Sequence, residues 1–282
     1  MASAFEKKKK LMQALESMGK VLVAYSGGVD STFLLATARQ VLGDNARGVL
    51  ISSPLHPQRE TTEALNTARA LRLRVDAVNL NELEDPRIAS NPPDRCYHCK
   101  RGRFSRLVEM ADKIGIKHLA EGSNASDLAD YRPGQRASRE LGIISPLLDA
   151  GLAKEEIRSL SRQMNLPTWD KPSSPCLATR IPYGTPLDPD ILSMICRAEE
   201  FLSEMGFNPV RVRVHGPVAR LEVLPGQISS LLIEETRRRI HNQLEELGFP
   251  FVTLDLAGYH MGNMNRLIPG GMIGQEFHKN NP

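Results

Sequence analysis

Two cysteines separated by two residues, Cys96 and Cys99, stand in the segment RCYHCKRGRF. A third, Cys176, lies in the proline-rich segment SSPCLATR, whereas Cys196 falls in an apolar helical pattern typical of a small buried side chain. By residue type, the first three fit four kinds of site: an iron–sulfur cluster held by three thiolates, a zinc site completed by His98, a redox pair, or a site without metal. Spacing alone does not decide among them.

A second candidate site lies in KVLVAYSGGVDSTFLL, where an apolar strand runs into two glycines and the start of a helix. This order places backbone N–H groups and a helix N-terminus where a phosphate can bind. Serine hydroxyls add donors, and a carboxylate is suited to a magnesium ion that bridges phosphates. The spacing matches neither a Walker A loop nor a GxGxxG dinucleotide fingerprint. We therefore predict nucleotide binding at Ser26, Gly27, Gly28, Asp30 and Ser31, with Asp30 as the magnesium ligand.

The elements around these motifs alternate between apolar strands and amphipathic helices. The first half of the chain contains a helix at 7–18, strands beginning at 21 and 48, and a helix at about 100–114. This alternation predicts an α/β fold with a parallel, Rossmann-like sheet. Six prolines between 166 and 190 then exclude a regular element.

Beyond the prolines, the pattern runs helix (about 189–205), two strands, a long helix (about 226–247) and a strand. This order predicts a smaller α+β domain. We expect a first domain at 1–172, an active-site loop or linker at 173–187 that carries Cys176, and a second domain at 188–282.

Composition narrows the function classes. The 282 residues are 41% hydrophobic and 24% charged, with a net charge of +3. No apolar run is long enough to cross a bilayer and the N-terminus lacks an apolar signal core, so we expect a cytoplasmic protein without a membrane partner. Four cysteines in such a protein favour metal binding or catalysis over a disulfide framework. The small net charge argues against nucleic acid as a partner.

The segment AYSGGVDS resembles the SGGxDS signature of the PP-loop ATP pyrophosphatases, which cleave ATP between its α and β phosphates. The resemblance implies ATP and Mg²⁺ as cofactors and adds Ala24 to the nucleotide site. It also places the adenine near Ser52, at the end of the second strand. Gly122 follows the strand KHLAEG, so that it too lies at the carboxyl edge of the sheet, where ligands bind in open α/β folds.

Five segments together are similar to the LarE-type sulfur transferases: AYSGGVDS, CKRGRFSRL, ADYRPG, SSPCLATRIPYGT and VRVRVHG. The resemblance covers about residues 8–260. It implies that ATP adenylates a carboxylate of a pyridinium-3,5-dicarboxylate mononucleotide, and that sulfur then displaces AMP to give a thiocarboxylate of the nickel-pincer cofactor of lactate racemase. Sulfide or another sulfur donor and a homo-oligomeric assembly follow from the same resemblance.

The cysteines depart from one branch of that family. In its single-cysteine members, a cysteine at the position of Cys176 surrenders its own sulfur, and the positions of Cys96 and Cys99 are not cysteine. The present trio instead resembles the branch in which three cysteines hold a [4Fe–4S] cluster with an open iron for sulfide. The alternative is that Cys176 surrenders its own sulfur in the reaction.

Further site residues are cations and carboxylates. Arg211 and Arg213 alternate with valines, so both point to one side of a strand, and guanidinium groups suit the phosphate of a mononucleotide; a solvent-facing sheet is the alternative. Family resemblance favours Arg211 and assigns Lys100 to a position near the nucleotide. Arg180 follows the Cys176 loop within reach of phosphate or cluster. Glu199 and Glu222 match acidic positions whose roles stay open.

Three other functions use some of these motifs. A PP-loop tRNA thiolase also couples ATP to sulfur transfer through a three-cysteine cluster, but it needs an RNA surface that this composition does not favour. An amide-forming enzyme of the NAD or GMP synthetase kind is the second, but its reaction gives the three cysteines no role. A non-enzymatic iron–sulfur sensor that binds nucleotide is the third.

Overall fold

The computed structural model describes residues 3–129, 134–172 and 175–260. The chain forms two compact units: the first comprises Met1–Glu82 and Asp94–Ser174, and the second comprises Leu83–Pro93 and Pro175–Pro282. The sequence pattern does not indicate that residues 83–93 group with the second unit. The domain boundaries at 172 and 188 stay predictions.

The described residues form eleven α-helices and seven strands. The helices are α1 (Ala4–Met18), α2 (Val29–Leu42), α3 (Gln58–Ala70), α4 (Pro86–Ala89), α5 (Arg95–Lys113), α6 (Gly134–Glu140), α7 (Pro146–Asp149), α8 (Lys154–Gln163), α9 (Pro189–Glu204), α10 (Ile228–Leu231) and α11 (Glu234–Glu246). The strands are β1 (Val21–Ala24), β2 (Ala46–Ser52), β3 (Val75–Asn79), β4 (Leu119–Ala120), β5 (Val210–His215), β6 (Val218–Val223) and β7 (Phe251–Leu254).

The sheet of the first unit is parallel, with the order β3-β2-β1-β4 in the described residues. Strand β1 is buried on both faces: Val21 and Val23 join one hydrophobic core, and Leu22 joins the core on the opposite side. A strand covered on both faces needs a continuous apolar run, which the segment VLVA supplies. The predicted α/β class with a Rossmann-like sheet is confirmed.

The second unit contains a mixed sheet in which β5 and β6 are antiparallel and β7 is parallel to β6. Helix α9 contacts β5 and buries Leu192, Ile195, Ala198 and Leu202, which recur at helical spacing on one face. The predicted α+β domain is confirmed.

Three predicted helix bounds are wrong. The single helix at 226–247 is instead a 3-10 turn followed by α10 and α11, because Ile233 adopts an extended conformation (φ −55°, ψ 130°) and α11 restarts with glutamates favoured at a helix N-terminus. Helix α5 begins at Arg95, so both cysteines of RCYHCK are helical. Helix α1 begins at Ala4 because Ser3 and Glu6 form a capping box.

In the part of the chain that the structure describes, no helix combines the length and apolarity needed to cross a membrane.

Candidate active site

The glycine loop between β1 and α2 requires glycine for two separate reasons. Gly27 has φ of +70°, a region that residues with a side chain rarely adopt. A Cβ on Gly27 would also lie 2.3 Å from Cβ of Ala64 on α3, well inside van der Waals contact. Gly28 is the extended N-cap of α2. The loop therefore passes tightly against α3 and delivers the N-terminus of α2 to the carboxyl edge of the sheet.

The two serines brace this loop. Their hydroxyl oxygens lie 3.0 Å apart, and the backbone N–H of Ser26 donates to Oγ of Ser31 at 3.1 Å. Gly122, which follows β4, approaches so closely that an added Cβ would lie 3.1 Å from the Ser31 nitrogen and 3.2 Å from Cβ of Asp30. The structure thus brings together the predicted residues Ser26, Ser31, Asp30 and Gly122 around the start of α2.

Asp30 carries the carboxylate of the loop, and its two oxygens differ. Oδ2 accepts a hydrogen bond from Nζ of Lys154 at 2.6 Å, whereas Oδ1 is buried and has no hydrogen-bond partner among the described residues. Burial raises the pKa of the Asp30 carboxyl above its ordinary value, and Lys154 opposes that shift. A buried carboxylate oxygen without a partner fits a magnesium ligand. Lys154 carries no motif, so sequence reasoning missed it.

A cavity of about 150 Å³ opens beside the loop. Ala24, which pairs with Val49 in the sheet, lines it together with Ile51, His56 and Arg103. Arg103 donates to Oε1 of Glu82 at 2.6 Å, which fixes the guanidinium at the cavity wall. The cavity lies beside β1 and β2, close to the end of β2 where the PP-loop resemblance implies an adenine.

Ser52 is the last residue of β2 and pairs with Asn79 of β3. Its carbonyl oxygen accepts a hydrogen bond from the Leu80 N–H at 2.9 Å. That backbone oxygen is therefore used by the protein itself, and contact of Ser52 with adenine stays a prediction. Sequence reasoning missed His56 because an isolated polar residue carries no recognisable spacing, and it assigned no role to Arg103 although this residue lies within CKRGRFSRL.

Lys100 projects from α5 onto Glu121, whose side chain is buried. The ammonium lies 2.7 Å from Oε2 of Glu121, the residue directly before Gly122. Cys96 and Cys99 precede Lys100 by four residues and one residue, so all three lie on neighbouring positions of one helix face. The helix thus presents an amine and two thiols together, with Lys100 directed toward the glycine loop.

The thiols of the pair differ in environment. Cys96 is exposed, with its Sγ 3.9 Å from a guanidinium nitrogen of Arg95, and Cys99 is partly buried. Among the described residues, no three His, Cys, Asp or Glu side chains are grouped as a metal ion would require. The cluster ligands Cys96, Cys99 and Cys176 therefore stay a prediction. Of the ADYRPG motif, residues 130–133 lie outside the described residues.

Cys176 begins a 3-10 turn in the second unit, and Arg180 ends that turn. The Arg180 guanidinium donates to both carboxylate oxygens of Glu199, at 2.9 and 2.7 Å, and to the carbonyl of Cys176 at 3.1 Å. Arg180 is almost fully buried, and this bidentate pair ties the Cys176 loop to α9. Its predicted contact with a cofactor remains untested.

The arginines of β5 have unequal surroundings. Arg213 is buried. Two of its guanidinium nitrogens donate to the carboxylate of the fully buried Glu222, and the third donates to the Thr179 carbonyl oxygen at 2.6 Å. Arg213 therefore does not face solvent, which was the alternative to phosphate binding, and its guanidinium is occupied by protein groups. Arg211 is half-buried; burial lowers the pKa of its guanidinium, and the positive charge of Arg180 adds to this effect.

Comparisons with known proteins agree with this architecture. The NAD synthase family profile matches residues 6–91, which hold the glycine loop. An uncharacterised protein of Synechocystis sp. is 38% identical over 258 residues, 92% of this chain and 96% of its own. Pyridinium-3,5-bisthiocarboxylic acid mononucleotide synthase of Lactiplantibacillus plantarum is 38% identical over 266 residues, 94% of this chain and 96% of its own.

A more distant relative shares only part of the chain. A glutamine-hydrolysing GMP synthase component of Thermoplasma volcanium is 29% identical over 182 residues, 58% of this chain and 57% of its own. The two 38% relatives, by contrast, extend through both units. With its parallel-sheet unit, glycine loop and end-to-end similarity, the chain belongs to the family of pyridinium-3,5-bisthiocarboxylic acid mononucleotide synthase, the LarE-type ATP-dependent sulfur transferases of the PP-loop superfamily.

Proposed function

We propose that this protein thiolates a carboxylate of a pyridinium-3,5-dicarboxylate mononucleotide at the expense of ATP. The observation that carries the proposal is the 38% identity to the L. plantarum synthase over 96% of that enzyme, together with a glycine loop built for ATP phosphates. The product would be a thiocarboxylate for a nickel-pincer cofactor such as that of lactate racemase.

The proposed reaction has two steps, adenylation of the carboxylate and its thiolation. An oxygen of the substrate carboxylate attacks the α-phosphorus of ATP, the α–β phosphoanhydride bond breaks, and pyrophosphate leaves. A sulfur nucleophile then attacks the acyl carbon, the bond to the AMP oxygen breaks, and AMP leaves. Adenylation is needed because the unactivated carboxylate would have to expel oxide.

Residues of the first unit would bind the ATP phosphates and magnesium. Backbone N–H groups at the start of α2 face the phosphates, and Lys100, held by Glu121, supplies a cation near the nucleotide. Magnesium, bound through Asp30, would neutralise the departing pyrophosphate. The orphaned Oδ1 atom of Asp30 supports this assignment.

Within the second unit, Arg211 is the better candidate for the substrate phosphate. The carboxylates of Glu199 and Glu222 are already paired with Arg180 and Arg213. An incoming phosphate would therefore compensate the positive charge of Arg211, whose pKa burial already lowers. The guanidinium of Arg213 is already used in its pair with the buried Glu222.

Cys96, Cys99 and Cys176 would hold a [4Fe–4S] cluster that supplies sulfide when bound, and the cysteine pair on one face of α5 fits two of those ligands. Anaerobic purification followed by iron and sulfide analysis tests this. We expect the cluster to be lost in Cys96→Ala, Cys99→Ala and Cys176→Ala and kept in Cys196→Ala. Loss of one hydrogen sulfide from Cys176 after turnover would instead establish the sacrificial route. Cytoplasmic location and homo-oligomeric assembly stay predictions.

The proposed reaction is tested by incubating the protein with ATP, Mg²⁺, a sulfide source and the pyridinium-3,5-dicarboxylate mononucleotide under anaerobic conditions. Mass spectrometry should detect exchange of one substrate oxygen for sulfur, with one AMP and one pyrophosphate per exchange. Total tRNA in place of the mononucleotide is the comparison arm. Thiolated tRNA without a thiocarboxylate product would overturn the proposal.

A further inference from the structure

We propose that Lys154 and Lys171 are the cations that bind the β- and γ-phosphates of ATP and hold the pyrophosphate after the α–β bond breaks. The inference deepens the proposed function, since it rests on ATP cleavage at the glycine loop. Neither lysine belongs to the sequence motifs considered above.

Both lysines reach the loop from the same stretch of the first unit. Nζ of Lys154 donates to Oδ2 of Asp30 at 2.6 Å, across 124 residues of sequence. Nζ of Lys171 donates to the carbonyl oxygen of Gly27 at 3.2 Å, across 144 residues. Two ammonium groups therefore lie at the loop whose backbone N–H groups would bind the phosphates.

The protein holds these lysines in place by other contacts. Lys154 is the first residue of α8, and its backbone N–H donates to Oγ of Ser126 at 3.0 Å. Ile157 and Leu160 of α8 belong to the same hydrophobic core as Phe33 of α2, so the two helices are packed as one layer. The base of Lys154 is thus fixed relative to the loop.

Lys171 is held by Arg158 of α8. The two terminal nitrogens of Arg158 donate to the carbonyls of Trp169 and Lys171, at 2.9 and 3.0 Å. An arginine used in this way orders the backbone that carries Lys171. The ordering of both lysines is explained if their ammonium groups meet a ligand.

The ion pair between Asp30 and Lys154 leaves one carboxylate oxygen unpaired, a feature that a purely structural ion pair does not need. Lys154 satisfies one carboxylate oxygen, and the other is buried without a partner among the described residues. A half-satisfied buried carboxylate is costly, and Asp30 would offset that cost by holding a magnesium ion. Bound triphosphate would give the ammonium of Lys154 a second anionic partner beside Asp30.

The test measures binding of pyrophosphate without metal, by isothermal titration calorimetry in the presence of a chelator. We expect Lys154→Ala to weaken binding by about 10- to 100-fold, the usual value of a hydrogen bond to a charged group, and Lys154→Arg to restore most of it. Lys171→Ala should weaken binding by about tenfold. The matched control is Lys7→Ala, which removes a similarly exposed ion pair with Glu156 of the same helix α8.

The Asp30→Asn variant distinguishes phosphate binding by Lys154 from simple ion pairing between Lys154 and Asp30. If Lys154 binds phosphate, Lys154→Ala still weakens pyrophosphate binding when Asp30 is already Asn. Equal binding by Asp30→Asn and the double variant would overturn the inference, as would equal losses in Lys7→Ala and Lys154→Ala. Because these measurements contain neither carboxylate substrate nor sulfur donor, a failure here leaves the thiolation assay to judge the proposed function separately.

Discussion

The ammonium of Lys100 lies 2.7 Å from the carboxylate of Glu121, and this pair joins the helix of the cysteine pair to the residue that precedes Gly122. Gly122 in turn lies against the start of α2, so close that an added Cβ would meet the Ser31 nitrogen at 3.1 Å. The nucleotide loop and the face of α5 that bears Lys100 are therefore coupled through one buried carboxylate.

Removing this coupling should slow adenylation. We expect Lys100→Ala to lower substrate-dependent exchange of pyrophosphate into ATP by about 10²-fold, because a cation near the transferring phosphoryl group is lost. Glu121→Gln should have a smaller effect in the same direction, since the amine stays but is less firmly placed. Lys113→Ala, an exposed lysine in the last turn of α5, is the control. Unchanged exchange in Lys100→Ala would remove Lys100 from the catalytic residues.

Gly27→Ala should abolish ATP binding and destabilise the first unit. The added methyl group meets Ala64 at 2.3 Å and the backbone has φ of +70°, so steric overlap adds to backbone strain. Gly43 separates the two effects: its φ is +59°, but nothing lies within 4 Å of an added Cβ. Gly43→Ala should cost about 1–3 kcal/mol of folding free energy from backbone strain alone and leave ATP binding intact. Calorimetry and thermal melts measure both; equal losses in the two variants would refute the close approach of α3.

Arg213→Ala should destabilise the second unit by roughly 3–5 kcal/mol. The variant removes the bidentate partner of Glu222, which is fully buried, and leaves that charge with only Arg220 beside it among the described residues. Arg59→Ala, which breaks an exposed pair with Glu63 on α3, should cost less than about 1 kcal/mol. Urea unfolding compares the two, and a loss in Arg213→Ala no greater than in Arg59→Ala would contradict an internal structural pair.

His215 should make folding stability depend on pH. Burial lowers the pKa of its imidazole below the ordinary value of 6.5, and the charges of Arg220 and Arg213 add to that shift. As the pH falls below 6.5, the unfolded chain takes up the proton first, so stability falls until the lower folded pKa is passed. His215→Gln should flatten this part of the curve.

The measurement is the free energy of unfolding in urea between about pH 7.5 and about pH 5.5. His241→Gln is the control, because His241 is exposed beside Glu245 on α11. If His215→Gln and the wild type keep a constant difference across this range, His215 contributes nothing to the pH dependence.

Local features of this protein follow from sequence alone because they depend on neighbouring residues. The strand VLVA followed by two glycines determined both the buried strand and the loop at Gly27, and the proline run marked where the regular pattern of the first half ends. The valines of β5 likewise indicated a strand. The break at Ile233 escaped prediction, since no proline or glycine signals it.

Partners across long distances were decided only by tertiary structure. Sequence places Asp30 in the loop, but nothing in its spacing selects Lys154, 124 residues away, as the cation beside it. The same holds for Lys100 with Glu121 and for Arg213, which periodicity placed on one side of β5 without selecting Glu222 as its partner. Periodicity determines which face of an element a side chain occupies, whereas the charge that meets it depends on how distant elements pack together.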